Sequence, residues 1–188
     1  MTKDNIILIG MPASGKSTVG VILAKVLGKD FVDSDIVIQQ REGARLSELI
    51  EKYGVDDFMI REEKAILGID VSNTVVATGG SAVYSDKAMK HLAEGAKVVY
   101  LKVELEELKN RLSDINGRGV VLKEGENLKS IFETRSKLYE KYADITVVED
   151  DTTIEDTVRL ICELEKGEAS DRKEGWISIE DASVRKGS

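Results

Sequence analysis

Cysteine and histidine each occur once in the 188 residues, and long apolar runs are missing altogether. With Cys162 alone, an intrachain disulfide and a thiolate cluster for zinc are both excluded. Its company of Ile154, Val158 and Ile161 at helical spacing marks it as a core thiol. The lone His91 falls in a short surface helix and receives no role. No run of eighteen apolar residues exists, and Met1-Thr2-Lys3-Asp4 leads straight into a strand, so neither a membrane span nor a signal peptide is expected. The expected compartment is the cytoplasm. Basic residues are outnumbered 27 to 35, and the net charge of −8 repels nucleic acid and anionic membranes at long range, while leaving room for a local phosphate-binding pocket.

What is present suits one soluble domain: 41% apolar and 33% charged residues, with no internal repeat. Residues 1–166 read as that domain, expected to be monomeric. Residues 167–188 read as a polar, poorly ordered tail, in which Trp176-Ile177-Ser178-Ile179 can add an edge strand or touch a neighbouring chain.

The most informative stretch is Gly10-Met11-Pro12-Ala13-Ser14-Gly15-Lys16-Ser17, between the apolar run Ile6–Ile9 and the helical pattern Val19, Leu23, Val26, Leu27. A strand before and a helix after make it a phosphate-binding loop. Gly15 lets the backbone approach closely, and the amides at the helix N-terminus attract an anion. Lys16 adds a positive charge at the β- and γ-phosphates, and the Ser17 hydroxyl is placed to ligate Mg²⁺. Ala13, Ser14 and Thr18 complete the expected nucleotide contacts. Ala13 stands where many such loops carry glycine, so it is expected to keep a negative φ.

Strands and helices then alternate, which gives an α/β fold with a mostly parallel sheet. In such sheets ligands bind where the strands end. The second strand, Phe31-Val32, ends in Asp33-Ser34-Asp35. If it continued, both carboxylates would point the same way, one toward the Mg²⁺ shell and one able to take a hydroxyl proton. Alternatively, Asp35 caps the next helix. The third strand, Thr74–Ala77, ends in Thr78-Gly79-Gly80-Ser81, where the glycines permit close backbone approach. It carries no aspartate, so Asp33 is the metal candidate by elimination. Between them, Leu46 to Gly68 reads as two helical pieces broken at Gly54. Later, Ser113 to Gly125 has three glycines and no apolar period, and reads as a mobile lid carrying Arg118 toward the transferred phosphoryl group. The final helix opens on a capping box of Thr152 with Glu155.

Taken in order, the phosphate loop, Asp33-Ser34-Asp35, Thr78-Gly79-Gly80, Arg118 and the run Arg135-Ser136-Lys137-Leu138-Tyr139 resemble the shikimate kinase family over about residues 5–165. That resemblance implies a P-loop NTPase three-layer fold with a five-stranded parallel sheet in the order 2-3-1-4-5. It also implies ATP and Mg²⁺ as cofactors and phosphorylation of shikimate. Asp35 would then orient the attacking hydroxyl, Gly80 would touch substrate through its backbone, Arg135 would pair with the substrate carboxylate, and Arg111 would lie against the adenine.

Three positions depart from the family pattern. Met59 replaces a carboxylate-binding arginine, Ser81 a third glycine, and Lys137 a proline. Arg61 sits two residues after Met59, about 160° around a helix, and so cannot take over its place. The departures leave two other readings beside shikimate kinase: a kinase of the same fold acting on another hydroxy acid or polyol, and a nucleotide-binding module without catalysis.

Overall fold

A computed structural model describes residues 4–113, 125–148, 153–165 and 176–177. The chain runs β1 (Asn5–Ile9), α1 (Lys16–Leu27), β2 (Asp30–Asp33), α2 (Ser34–Glu42), α3 (Leu46–Leu67) and β3 (Thr74–Ala77). A short 3₁₀ turn, Ala82–Tyr84, leads to α4 (Asp86–Ala93), β4 (Ala96–Lys102), α5 (Leu105–Ser113), α6 (Leu128–Tyr142), β5 (Ile145–Val148), α7 (Ile154–Glu165) and β6 (Trp176–Ile177). All pairings are parallel, in the order β2-β3-β1-β4-β5-β6. The expected five-stranded order is therefore present, and Trp176–Ile177 adds a two-residue strand at its edge. The rest of 167–188, where the poorly ordered tail was expected, lies outside the described residues.

The sheet is wrapped on both faces because its central strands are apolar on both faces. Ile6 and Leu8 point one way, with Val75, Val99 and Leu101, against α1 and α7. Ile7 and Ile9 point the other way, with Val76, Val98 and Tyr100, against α4 and α6. Each fully buried aliphatic side chain here contributes roughly 1.5–3 kcal/mol, so β1 is the least movable part of the molecule. It is also where the order of strand addition reverses, with β3 on one side and β4 on the other. Loops leaving the strand ends beside this point border a natural crevice.

Helix ends follow their local chemistry. Gly28 and Gly43 close α1 and α2 in the left-handed conformation. At α7 the cap is Thr153 with Asp156, one residue later than the expected Thr152 and Glu155. The Asp156 amide donates to Thr153 Oγ1 (3.2 Å), and the Thr153 amide to Asp156 Oδ2 (3.3 Å). His91, expected to be idle at the surface, is half-buried and ties α4 to the chain after α3 through Nε2 and the Ile69 carbonyl (2.8 Å).

Helix α3 is broken at Gly54, as its sequence implies (φ 77°, ψ 169°). That conformation belongs almost exclusively to glycine, and a methyl group there would meet no atom within 4 Å. Gly54→Ala is therefore a test of backbone strain alone. The variant is expected to lose about 1–3 kcal/mol of stability, read from the urea midpoint. An unchanged midpoint would show that the break does not depend on glycine.

Candidate active site

The loop from Gly10 to Gly15 curls so that its carbonyls gather around one ammonium group. Lys16 Nζ donates to the carbonyls of Gly10 (2.8 Å) and Met11 (2.7 Å) and to Ser14 Oγ (3.3 Å). A turn from the Ser14 amide to the Met11 carbonyl (3.1 Å) closes the curl. Ala13 has φ +66°, against the expected negative value. The curl demands that conformation whatever residue occupies it, and alanine bears a cost of about 1–2 kcal/mol there. Lys16 is only 7% exposed, so its charge is held in a dry seat rather than dispersed into water.

Beside this seat, Ser17 Oγ donates to Asp33 Oδ2 (2.6 Å), and Asp33 Oδ1 accepts from the Asp35 amide (2.9 Å). Asp33, not Asp35, is thus the N-cap of α2. The strand stops at Asp33, so the two carboxylates do not share a face by strand alternation. Asp35 instead stands in the first turn of α2, and both line the same cavity of about 440 Å³. A hydroxyl beside a carboxylate is a fitting pair of hard oxygen donors for Mg²⁺, which keeps several waters and phosphate oxygens. Among the described residues no cluster of three or more carboxylate, histidine or cysteine side chains offers a closed metal cage.

The far side of the cavity is built on Gly79 and Gly80. The Gly79 amide donates to Ser34 Oγ (3.0 Å), and the Gly80 carbonyl accepts from Tyr139 Oη (2.7 Å). A methyl group on Gly79 would lie 2.5 Å from Glu62 Oε1 and 2.7 Å from Asp35 Oδ1, so both carboxylates would have to move to admit it. Arg135, 1% exposed, enters the same cavity from α6 with Nε donating to Tyr84 Oη (3.2 Å) and its guanidinium over the Tyr84 ring. Tyr139, one helical turn on, stacks on Tyr100 at 5.0 Å. Burial raises the pKa of its phenol far above the ordinary range, so it remains a donor.

The structure brings together Ala13, Gly15, Lys16, Ser17, Thr18, Asp33, Asp35, Gly79, Gly80 and Arg135 around one cavity. Ser14 lies beneath its floor, fully buried. Arg111 stands apart on α5, paired with Glu107 (2.8 Å), with Nη1 3.5 Å from the Ala13 carbonyl on the outer side of the loop. Arg118 and most of the lid lie outside the described residues. Phe58 lines the cavity and its neighbour Met59 does not. Arg61 is held elsewhere by Glu42 and Asp57, over the Tyr53 ring. Glu62 and Tyr139 are site residues that reading the sequence passed over. Glu62 carried a signal, because it occupies the buried stripe of α3 between Phe58 and Ile66 where an apolar residue belongs.

A lysine-centred loop at the point where the strand order switches shares one cavity with carboxylates and a buried arginine, the architecture of a P-loop kinase. The shikimate kinase family model matches residues 12–165. A shikimate kinase of Haemophilus influenzae (strain PittEE) is 36% identical over 167 residues, 86% of this chain and 92% of the relative. One of Pasteurella multocida (strain Pm70) is 40% identical over 154 residues, 79% and 87% of the two chains. The solved shikimate kinase from Acinetobacter baumannii in complex with shikimate superposes with a TM-score of 0.79 at 29% identity, covering 89% of this chain and 96% of that one. A thymidylate kinase from Candida albicans shares the fold alone, at a TM-score of 0.60 and 14% identity over 88% of this chain and 92% of that one. The chain belongs to the shikimate kinase family, whose members are ATP-dependent phosphotransferases acting on a hydroxyl group.

If Lys16 supplies charge-assisted bonds to phosphate, Lys16→Met should weaken nucleotide binding about ten- to a hundredfold in calorimetric titration with ADP. Equal affinity would remove Lys16 from the phosphate seat.

Proposed function

We propose that this chain transfers the γ-phosphoryl group of Mg·ATP to the 3-hydroxyl of shikimate, giving shikimate 3-phosphate and ADP. The observation that carries this reading is that the Lys16 cradle, Asp35 and buried Arg135 share one cavity. It thus holds a phosphate donor at one end and, at the other, a hydroxyl reader beside a carboxylate reader. The solved relative bound to shikimate supports the acceptor's identity.

In this mechanism Lys16 turns from the loop carbonyls to the β- and γ-phosphate oxygens. Ser17 and Asp33 would hold Mg²⁺, which would supply neutralising charge for the phosphates. Asp35 aligns the hydroxyl and accepts its proton as the oxygen attacks the γ-phosphorus and the ADP oxygen leaves. The backbone at Gly79 and Gly80 forms the wall against which the ring rests. Arg135 binds the acceptor carboxylate, its fork pre-aimed by Tyr84. To Arg118 falls the neutralisation of charge on the transferring group, and to Arg111 a contact with the base. The proposed setting is a monomer in the cytoplasm, where ATP is available. No helix among the described residues is long and apolar enough to cross a membrane.

Met59 leaves Arg135 without the second guanidinium of the family pattern. Native protein should therefore turn over shikimate in an ADP-release assay, and Met59→Arg should lower the shikimate KM about tenfold or more with the ATP KM unchanged. Turnover of another hydroxy acid in place of shikimate would overturn the acceptor assignment.

A further inference from the structure

The acceptor side of the cavity contains one acid for which the transfer scheme has no use. Glu62 is 2% exposed. Its Oε2 accepts from Ser81 Oγ (2.6 Å), whereas its Oε1 is buried with no hydrogen-bond partner among the described residues. That oxygen and Asp35 Oδ1 flank the same Gly79, at 2.5 and 2.7 Å from the point where a Cβ would sit. Both side chains line the cavity.

The charged and titratable groups facing Glu62 are Asp35 on α2 and Arg135 and Tyr139 on α6. From the loop before the 3₁₀ turn comes the Ser81 hydroxyl, while the buried residues of α4 are Ala88, Met89 and Leu92. With both carboxylates ionised, one guanidinium would balance two negative charges before an anionic acceptor arrived. Where this family ordinarily places a second arginine, Met59 supplies no charge. Ionised Glu62 would then sit in a poor environment, dry and beside a like charge. Burial, reinforced by Asp35 and opposed by Ser81 and Arg135, raises its pKa to about 7.

Given the proposed function, we infer that Glu62 binds acceptor as a neutral acid, with its Oε1 hydroxyl donating into the cavity, and that its ionisation expels an acceptor carrying a carboxylate. Ser81 donates to Oε2, so the proton sits on Oε1, the oxygen beside Gly79 and Asp35 Oδ1. Glu62 is a specificity-determining residue rather than a reacting one. Its proton decides whether the pocket tolerates an anion. The sign follows from linkage: acceptor affinity is full while Glu62 is protonated, and is lost as pH rises through its pKa.

The test is the shikimate KM between pH 6 and 9, measured with the ATP KM, for the native chain, Glu62→Gln and Ser81→Ala. Native protein should show a shikimate KM that rises up to about tenfold per pH unit above neutrality, with no matching rise for ATP. Glu62→Gln, a permanent neutral donor, should be flat and should bind shikimate more tightly than native protein at pH 8.5. Ser81→Ala removes a hydrogen bond that favours the ionised form, so its rise should begin at higher pH. A native profile retained in Glu62→Gln, or a flat native profile, overturns the inference while shikimate phosphorylation stands. Absence of turnover at every pH defeats the functional reading and the acceptor switch with it. A separate readout needs no acceptor: the Glu62 carboxyl carbon, assigned by difference against Glu62→Gln in ¹³C NMR, should titrate near neutrality. Titration below pH 5 overturns the inference by itself.

Discussion

The backbone at Gly79 and Gly80 passes through a gap where a methyl group would displace Asp35, Glu62 or Pro12, and most of the site depends on that fit. Asp35 and Glu62 press on Gly79 from α2 and α3, and Pro12 of the phosphate loop presses on Gly80. Ser34 fixes the amide of the first glycine, and Tyr139 fixes the carbonyl of the second. Four segments distant in sequence, the phosphate loop, α2, α3 and α6, are thus set against two residues. A shift of this junction would displace the Lys16 loop, Asp35 and the helix carrying Arg135 together, and positional error of that kind is expensive in catalysis.

The sheet explains why the junction can be so tight. Strand β1 is buried on every residue and bonded on both sides, so Gly10 leaves it from a fixed point. The Thr78 amide and hydroxyl both bond the Leu8 carbonyl, which pins the start of the Gly79 loop to the same strand. Rigid strand ends hold loops whose own contacts are few. The cavity sets Lys16, Arg45 and Arg135 beside the carboxylates of Asp33, Asp35 and Glu62, inside a chain whose net charge is −8. Its local arrangement of charge, rather than the overall charge, decides what it can hold.

Much of this was legible in the sequence, and the reason is local. The phosphate loop, Asp33, Asp35 and the paired glycines announce themselves because each is a short motif at a strand end, where the chemistry of a few adjacent residues decides the structure. The break at Gly54 and the C-cap at Gly28 follow the same logic. Contacts across the chain were not legible. Glu62 meets Ser81 over 19 residues, and Tyr139 meets Gly80 over 59, and no periodicity encodes either pair. The positive φ of Ala13 was missed because residue type argued one way and loop closure the other. Asp33 displaced Asp35 as the cap because the strand ended sooner than its polar extension suggested. Of the three departures from the family pattern, Ser81 turns out to bond Glu62 and Lys137 is exposed on α6, while Met59 stays off the cavity wall.

The central claim is that one cavity brings a nucleotide's terminal phosphoryl group directly to an acceptor hydroxyl. It is tested most directly by following ³¹P resonances in a mixture of the protein, Mg·ATP and shikimate. Direct transfer predicts a phosphate-monoester signal growing in step with ADP, with no matching growth of inorganic phosphate. Unchanged ATP, or ADP accompanied only by inorganic phosphate, would contradict it.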